Sequence, residues 1–251
     1  MTSSDPDADR AVVLTGASGG IGVALTGYLL ERGVDRLALV YRSHSDELFS
    51  LVREKGLDPE KHCFQADLAN EDDVRRLAEA VGSTFGPVWG LINLAGASSN
   101  GVTWKLALDE FHRIIDSNLT TTFLTCREFI PAMRQAKGGR IINVSSVVAF
   151  SGVAGAAHYG AAKAGIVGLT KSMARELAKS EITANVLALG YFDYGMLYTV
   201  PDDLREGIRQ QVPAARFGAA NEIGGAIQHL LSDDSAYTTG QTVHINGGIY
   251  S

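Results

Sequence analysis

Two cysteines in 251 residues, with no CxxC spacing and no His/Cys cluster beside either, exclude a disulfide framework and give no ground for a metal site. Cys63 and Cys126 read as small, reduced hydrophobes. Cations are also scarce. The 22 Lys and Arg against 28 Asp and Glu leave a net charge of −6, and they are scattered, so the basic stripe of a nucleic-acid-binding surface is missing. No apolar run approaches the roughly 18 to 20 residues that a membrane span requires. The opening MTSSDPDADR is polar and acidic, where a signal peptide is basic and then apolar. These absences point to a cytoplasmic enzyme or binding protein without nucleic-acid or membrane partners. No repeat, low-complexity tract or Pro/Ser-rich linker divides the chain, so residues 1–251 are expected to form one domain, with 1–10 a flexible N-terminus.

What is present is alternation. Seven short β-rich apolar runs, at 11–14, 36–41, 62–65, 90–93, 140–144, 182–189 and 242–245, are separated by segments with helical periodicity such as EDDVRRLAEAVGSTF. Strands that are apolar nearly throughout, alternating with helices, predict an α/β fold with a parallel sheet covered on both faces. The alternation lapses over residues 190–220, which mix aromatics, charges, prolines and glycines. A stretch of that kind is expected to be a substrate lid.

The 28 glycines exceed an ordinary share and need local explanation. Three of them, Gly16, Gly20 and Gly22, stand in TGASGGIG between the first strand and a helix opening near Ile21. Glycines at such a turn let the backbone approach a pyrophosphate, whose charge a helix N-terminus favours, so the motif predicts a dinucleotide site. About 20 residues on, no carboxylate stands where one would accept a ribose 2′-hydroxyl. The second strand ends instead in Tyr41-Arg42-Ser43. Arg42 and Ser43 suit a 2′-phosphate, which favours NADP(H), the alternative for Arg42 being a solvated surface arginine. Asp67, after the third strand, could accept from the adenine amino group or serve a helix N-terminus.

Tyr159 and Lys163 lie four positions apart in HYGAAKAG, on one face of a helix. A neighbouring ammonium favours phenolate, so the tyrosine is expected to have a lowered pKa, suited to acid–base work. Ser145 and Ser146 follow the fifth strand at the end where open α/β sheets bind ligands. Asn118 interrupts a helical pattern with a polar amide.

Together, TGASGGIG, NLAG at 93–96, Asn118, Ser146 thirteen positions before Tyr159, and YGAAK resemble the short-chain dehydrogenase/reductase family over essentially the whole chain. The resemblance implies a Rossmann-type doubly wound parallel seven-stranded sheet. Tyr159 would be the general acid in carbonyl reduction, with Ser146 on the substrate oxygen. Lys163 would hold the nicotinamide ribose and Asn118 a water chain. NADPH would be the hydride donor. The cofactor-binding set it implies comprises Gly16, Ser18, Gly20, Ile21, Gly22, Arg42, Ser43, Asp67, Leu68, Asn93, Ala95, Gly96, Tyr159, Lys163 and Gly190.

The C-terminal NGGIY and GRIINVSSVVAFSG are most similar to the 3-oxoacyl-[acyl-carrier-protein] reductases. Those enzymes imply a β-ketoacyl thioester substrate, an acyl carrier protein as possible partner, and a homotetramer. A dedicated ketoreductase acting on a ketone not bound to a carrier is the alternative, and a non-catalytic NADP(H) sensor a further one. The chain departs from the family pattern at Leu94 in NLAG and over LGYFDYGM, where Leu189 replaces a proline and Tyr194 stands near a threonine that contacts cofactor. Tyr191, Phe192 and Tyr194 either shape an unusual pocket or cap the core. Of the two basic residues used for carrier docking, Lys137 is present and the other position is Ser180, with Lys171 and Lys179 nearby.

Overall fold

The computed structural model describes residues 10–251, so nearly all of the segment expected to be flexible lies outside the described residues. The elements run β1 Ala11–Thr15, α1 Gly20–Leu30, β2 Leu37–Tyr41, α2 Asp46–Glu54, α3 Pro59–His62, β3 Cys63–Gln65, α4 Glu71–Phe85 and β4 Val88–Asn93. There follow α5 Leu108–Ile115, α6 Thr121–Ala136, β5 Gly139–Ser146, α7 Val148–Ser151 and α8 Ala157–Leu177. The chain closes with β6 Ile182–Leu189, α9 Asp202–Gln211, α10 Ala220–Leu231 and β7 Thr242–Ile245. The seven strands form one sheet in the order β3-β2-β1-β4-β5-β6-β7, every pairing parallel. The order reverses between β1 and β4, which opens a crevice at the carboxyl ends of the central strands, where such sheets bind ligands.

Side-chain alternation along each strand feeds two cores. Val13, Ala38, Val40, Leu91, Ile141 and Ala184 pack toward one side with residues of α4, α6 and α8. Val12, Leu14, Leu39, Ile92, Ile142 and Leu187 pack toward the other with residues of α1, α2 and α10. Both faces of the five inner strands are dry, which is why those strands read as continuous apolar runs, while the edge strands β3 and β7 are only partly buried. β4 and β5 extend beyond the predicted runs because parallel neighbours continue the ladder on both sides. Ser145 and Ser146 are therefore the last residues of β5 rather than the loop beyond it.

Residues 190–220, where the alternation lapses, carry secondary structure of their own. They hold a 3₁₀ turn, Gly195–Thr199, and the helix α9, and a bridge from Phe192 to Gly218 ties the segment back. α9 has no buried residue, and only Leu204 and Ile208 are apolar on it, too few to stand out in a polar stretch. Among the described residues no helix is long and apolar enough to cross a membrane, and no group of His, Cys, Asp and Glu could hold a metal ion. Both cysteines are free; burial pushes the Cys63 thiol up to about 11 and the Cys126 thiol up to about 12, so neither is a ready nucleophile.

Candidate active site

The glycine loop occupies the turn from β1 to α1. Gly16 has φ +69°, and a Cβ there would stand 2.8 Å from the Ala95 Cα, so only glycine lets this turn lie against the NLAG segment after β4. Thr15, a residue the motif reading passed over, fixes that contact. Its buried Oγ1 accepts from the backbone N–H groups of Leu94 and Ala95, each at 3.1 Å. The signal was present as the first letter of TGASGGIG, but the partners become visible only when β1 pairs with β4 and sets Thr15 opposite Asn93.

α1 begins at Gly20 with no side-chain cap and no acidic residue in its first turn. Its first N–H groups are thus left for an external acceptor, and the helix dipole favours an anion there. Ser18 Oγ reaches the Ser43 carbonyl at 3.3 Å, tying the loop to the end of β2. Arg42 is exposed at that end, and among the described residues its only hydrogen bond is through its backbone carbonyl, which accepts from Gln65 Nε2 at 3.0 Å. Asp67 is also exposed; one carboxylate oxygen accepts from the Ala69 N–H, while Asn70 caps α4, so the capping alternative falls to the asparagine. Leu68 is buried beside it. Ile21 packs at the edge of the core that holds α1, and Gly190 lies against Asn246 of the C-terminal segment.

The Asn93 side chain is committed elsewhere. Pairing of Asn93 with Asn143 across β4 and β5 lets its amide donate to Asn143 Oδ1 at 2.8 Å and accept from Thr125 Oγ1 at 2.7 Å. Asn143 in turn donates to Thr170 on α8 at 2.9 Å. This buried network binds sheet, α6 and α8 to one another, leaving Asn93 only its backbone to offer a ligand.

Asn118 sits in a π-helical turn, Asp116–Thr120, between α5 and α6. The extra residue in that turn produces the break in periodicity seen in the sequence, and such turns mark functional sites often. Its Nδ2 donates to the carbonyls of Ala97 at 2.7 Å and Ile114 at 2.9 Å, while its Oδ1 is buried with no partner among the described residues. Gly96 makes room for it: a Cβ on Gly96 would fall 2.5 Å from Asn118 Oδ1 and 3.4 Å from Lys163 Nζ. An unpartnered acceptor and a buried ammonium thus face one small space.

Tyr159 and Lys163 project from the first turns of α8, with Nζ 5.7 Å from the phenol ring centroid. The tyrosine hydroxyl lies near Ser146, which favours its ionised form, and near the Tyr191 hydroxyl, which opposes it. The expectation of a lowered tyrosine pKa is corrected. Burial pushes the phenol above its ordinary value, and only the neighbouring Ser146 opposes this. Lys163 does not supply the lowering because it is itself desolvated, its pKa brought down to about 8, and it donates to the Val144 carbonyl at 3.0 Å. The aromatic stretch after β6 divides: Phe192 is core, Tyr194 packs against that core, and Tyr191 is half-buried beside Tyr159. Gly195 meanwhile lies against Gly20, so this segment closes over the glycine loop.

A doubly wound sheet, an uncapped glycine turn and a Ser/Tyr/Lys/Asn cluster at the carboxyl ends of its strands define an oxidoreductase of the CH–OH/C=O couple. The chain belongs to the short-chain dehydrogenase/reductase family: the family model described as enoyl-(acyl carrier protein) reductase matches residues 16–250. It is 37% identical over 243 residues to the 3-oxoacyl-[acyl-carrier-protein] reductase FabG of Staphylococcus epidermidis, covering 96% of this chain and 99% of that one. The Staphylococcus aureus FabG is 38% identical over 244 residues, 96% and 98% of the two chains. For Salmonella typhimurium FabG the identity is 37% over 244 residues, 96% and 97%.

Proposed function

We propose that the protein reduces a β-ketoacyl thioester to the 3-hydroxyacyl product with NADPH, taking its substrate from an acyl carrier protein and working as a homotetramer. The observation that carries the reading is the convergence of Ser146, the last residue of β5, and Tyr159, in the first turn of α8, whose side chains lie near each other at the carboxyl end of the sheet. Two hydroxyls so placed can both donate to one carbonyl oxygen as it gains negative charge. The near-full-length likeness to enzymes named as 3-oxoacyl-carrier-protein reductases supports the thioester.

The residues present fit a nicotinamide dinucleotide. The uncapped N-terminus of α1 suits a pyrophosphate, the exposed guanidinium of Arg42 suits a 2′-phosphate, and Lys163 and the Asn118 Oδ1 suit ribose hydroxyls or water. Bound there, the cofactor would supply the hydride. Ser146 would orient the ketone by donating to its oxygen. Tyr159, kept protonated by its burial, would deliver the proton; a pKa above the ordinary phenol value suits an acid that must hold its proton until alkoxide develops. Asn118 would hold a water near Lys163 through its free Oδ1, returning a proton toward the phenol.

The experiment is direct. NADPH loss is followed with acetoacetyl thioester, with the corresponding enoyl thioester and with a small ketone. Turnover of the ketothioester alone is the expected result. Preference for the enoyl thioester would move the chemistry to a C=C bond, preference for the small ketone would remove the carrier protein, and no turnover with any of them would favour an NADP(H)-sensing role.

A further inference from the structure

The residue before the candidate acid, His158, is fully buried at the start of α8. Its Nε2 lies 2.8 Å from Ser99 Oγ, on the segment after β4, and Ser99 Oγ is hydrogen-bonded to Glu110 on α5. Glu110 is held in place by Arg113, whose Nε and guanidinium nitrogen reach its two oxygens at 2.6 and 2.7 Å.

The direction of every proton in this chain follows. Arg113 first, and Ser99 next, bring the Glu110 carboxyl down to about 2, so it is ionised and can only accept. Ser99 must therefore spend its one proton on Glu110. Its oxygen is left to accept, which requires His158 to carry hydrogen on Nε2 and donate it. The imidazole is thus held through its Nε2 hydrogen, while Nδ1 is buried with no partner among the described residues. A solvated structural histidine would have no need of a polarised chain of this kind.

The chain joins three elements that meet at the candidate site. α5 leads into the turn that carries Asn118. The Ser99 segment carries Gly96 and Ala97, which flank Asn118 and Lys163, and it is further tied to the start of α8 by the Gly101 N–H bonding the Gly155 carbonyl at 2.8 Å. α8 carries Tyr159 itself.

We infer that His158 is a positioning residue: donating through Ser99 to Glu110, it locks the first turn of α8 and sets the Tyr159 hydroxyl opposite Ser146 and the substrate oxygen. The inference rests on the reductase reading. It places the determinant of Tyr159 geometry in residues outside the Asn118, Ser146, Tyr159 and Lys163 cluster.

The test uses the full-length enzyme with NADPH and acetoacetyl thioester. His158→Gln keeps an N–H where Nε2 stands and is expected to keep kcat within about twofold. His158→Phe fills the space without a donor and is expected to lose about tenfold or more in kcat, with KM for both substrates within about threefold. Ser99→Ala, a small change that leaves the imidazole volume in place, should reproduce the Phe loss, and the double variant should be no worse than either single. Equal losses for Gln and Phe, additive losses, or a rise in KM alone would overturn the inference.

Should the parent fail to turn over the thioester, the reductase reading falls by itself. The inference is then decided by titrating the Tyr159 phenol through its ultraviolet absorbance, as the difference from Tyr159→Phe in each background. It requires an unchanged curve for His158→Gln and one displaced upward for His158→Phe, where alignment with Ser146 is lost. Coincident curves would sink it.

Discussion

Replacing Lys163 by methionine should make the cofactor-free protein more stable while destroying its activity. The ammonium is buried, and desolvation brings its pKa from 10.5 to about 8. At neutral pH the native state therefore carries a charge that it holds at a cost of roughly 3 kcal/mol relative to the unfolded chain. Methionine keeps most of the side-chain stem and removes the charge, but leaves the Val144 carbonyl without its donor at 3.0 Å, which returns about 1 kcal/mol. The expected net gain is about 2 kcal/mol at pH 7, or about 4–8 °C in Tm for a chain of this size.

The pH dependence carries the sign. Below about 8 the native lysine is charged and the penalty is present in full. Between about 8 and 10.5 the unfolded chain binds a proton that the native state does not, so wild-type stability rises relative to the variant and the gap closes. Urea unfolding of both proteins at pH 7 and pH 10, with NADP(H) absent, measures this. A variant less stable than wild type at pH 7, or a gap independent of pH, would refute the desolvated-ammonium argument.

Thr15→Val keeps the shape but leaves the Leu94 and Ala95 N–H groups without their acceptor, and should cost about 1–3 kcal/mol, read as a lower urea midpoint at unchanged slope. Arg42→Ala should weaken NADPH about tenfold or more and leave NADH within about twofold, measured by fluorescence titration; equal losses would remove the 2′-phosphate role. Gly96→Ala would place a Cβ 2.5 Å from Asn118 Oδ1, and should lower kcat about tenfold with the circular dichroism unchanged; wild-type turnover would show that the space between Asn118 and Lys163 is not used.

The fold was legible because the five inner strands are buried on both faces and the two edge strands, β3 and β7, still carry short apolar runs: each of the seven runs became a strand, and the glycine turn fell between β1 and α1. α9 was not legible, since its DDLREGIRQQ is polar but for Leu204 and Ile208 and buries no residue. At the site, Tyr159, Lys163, Ser146 and Asn118 could be named from spacing and resemblance, but their electrostatics could not. Proximity in sequence suggested an ammonium acting on a phenol, whereas burial of both raises the one and lowers the other. Thr15, the Asn93–Asn143–Thr170 network and the Glu110–Ser99–His158 chain join residues far apart in sequence, so strand register and helix packing alone reveal them.

The central claim is that Tyr159 gives the proton to the reduced carbonyl, and Tyr159→Phe tests it most directly because it removes one oxygen and leaves the ring. The account predicts that kcat/KM for acetoacetyl thioester falls about a thousandfold, while NADPH affinity and the unfolding midpoint stay close to wild type. Turnover within about tenfold of wild type would contradict it and place the acid elsewhere.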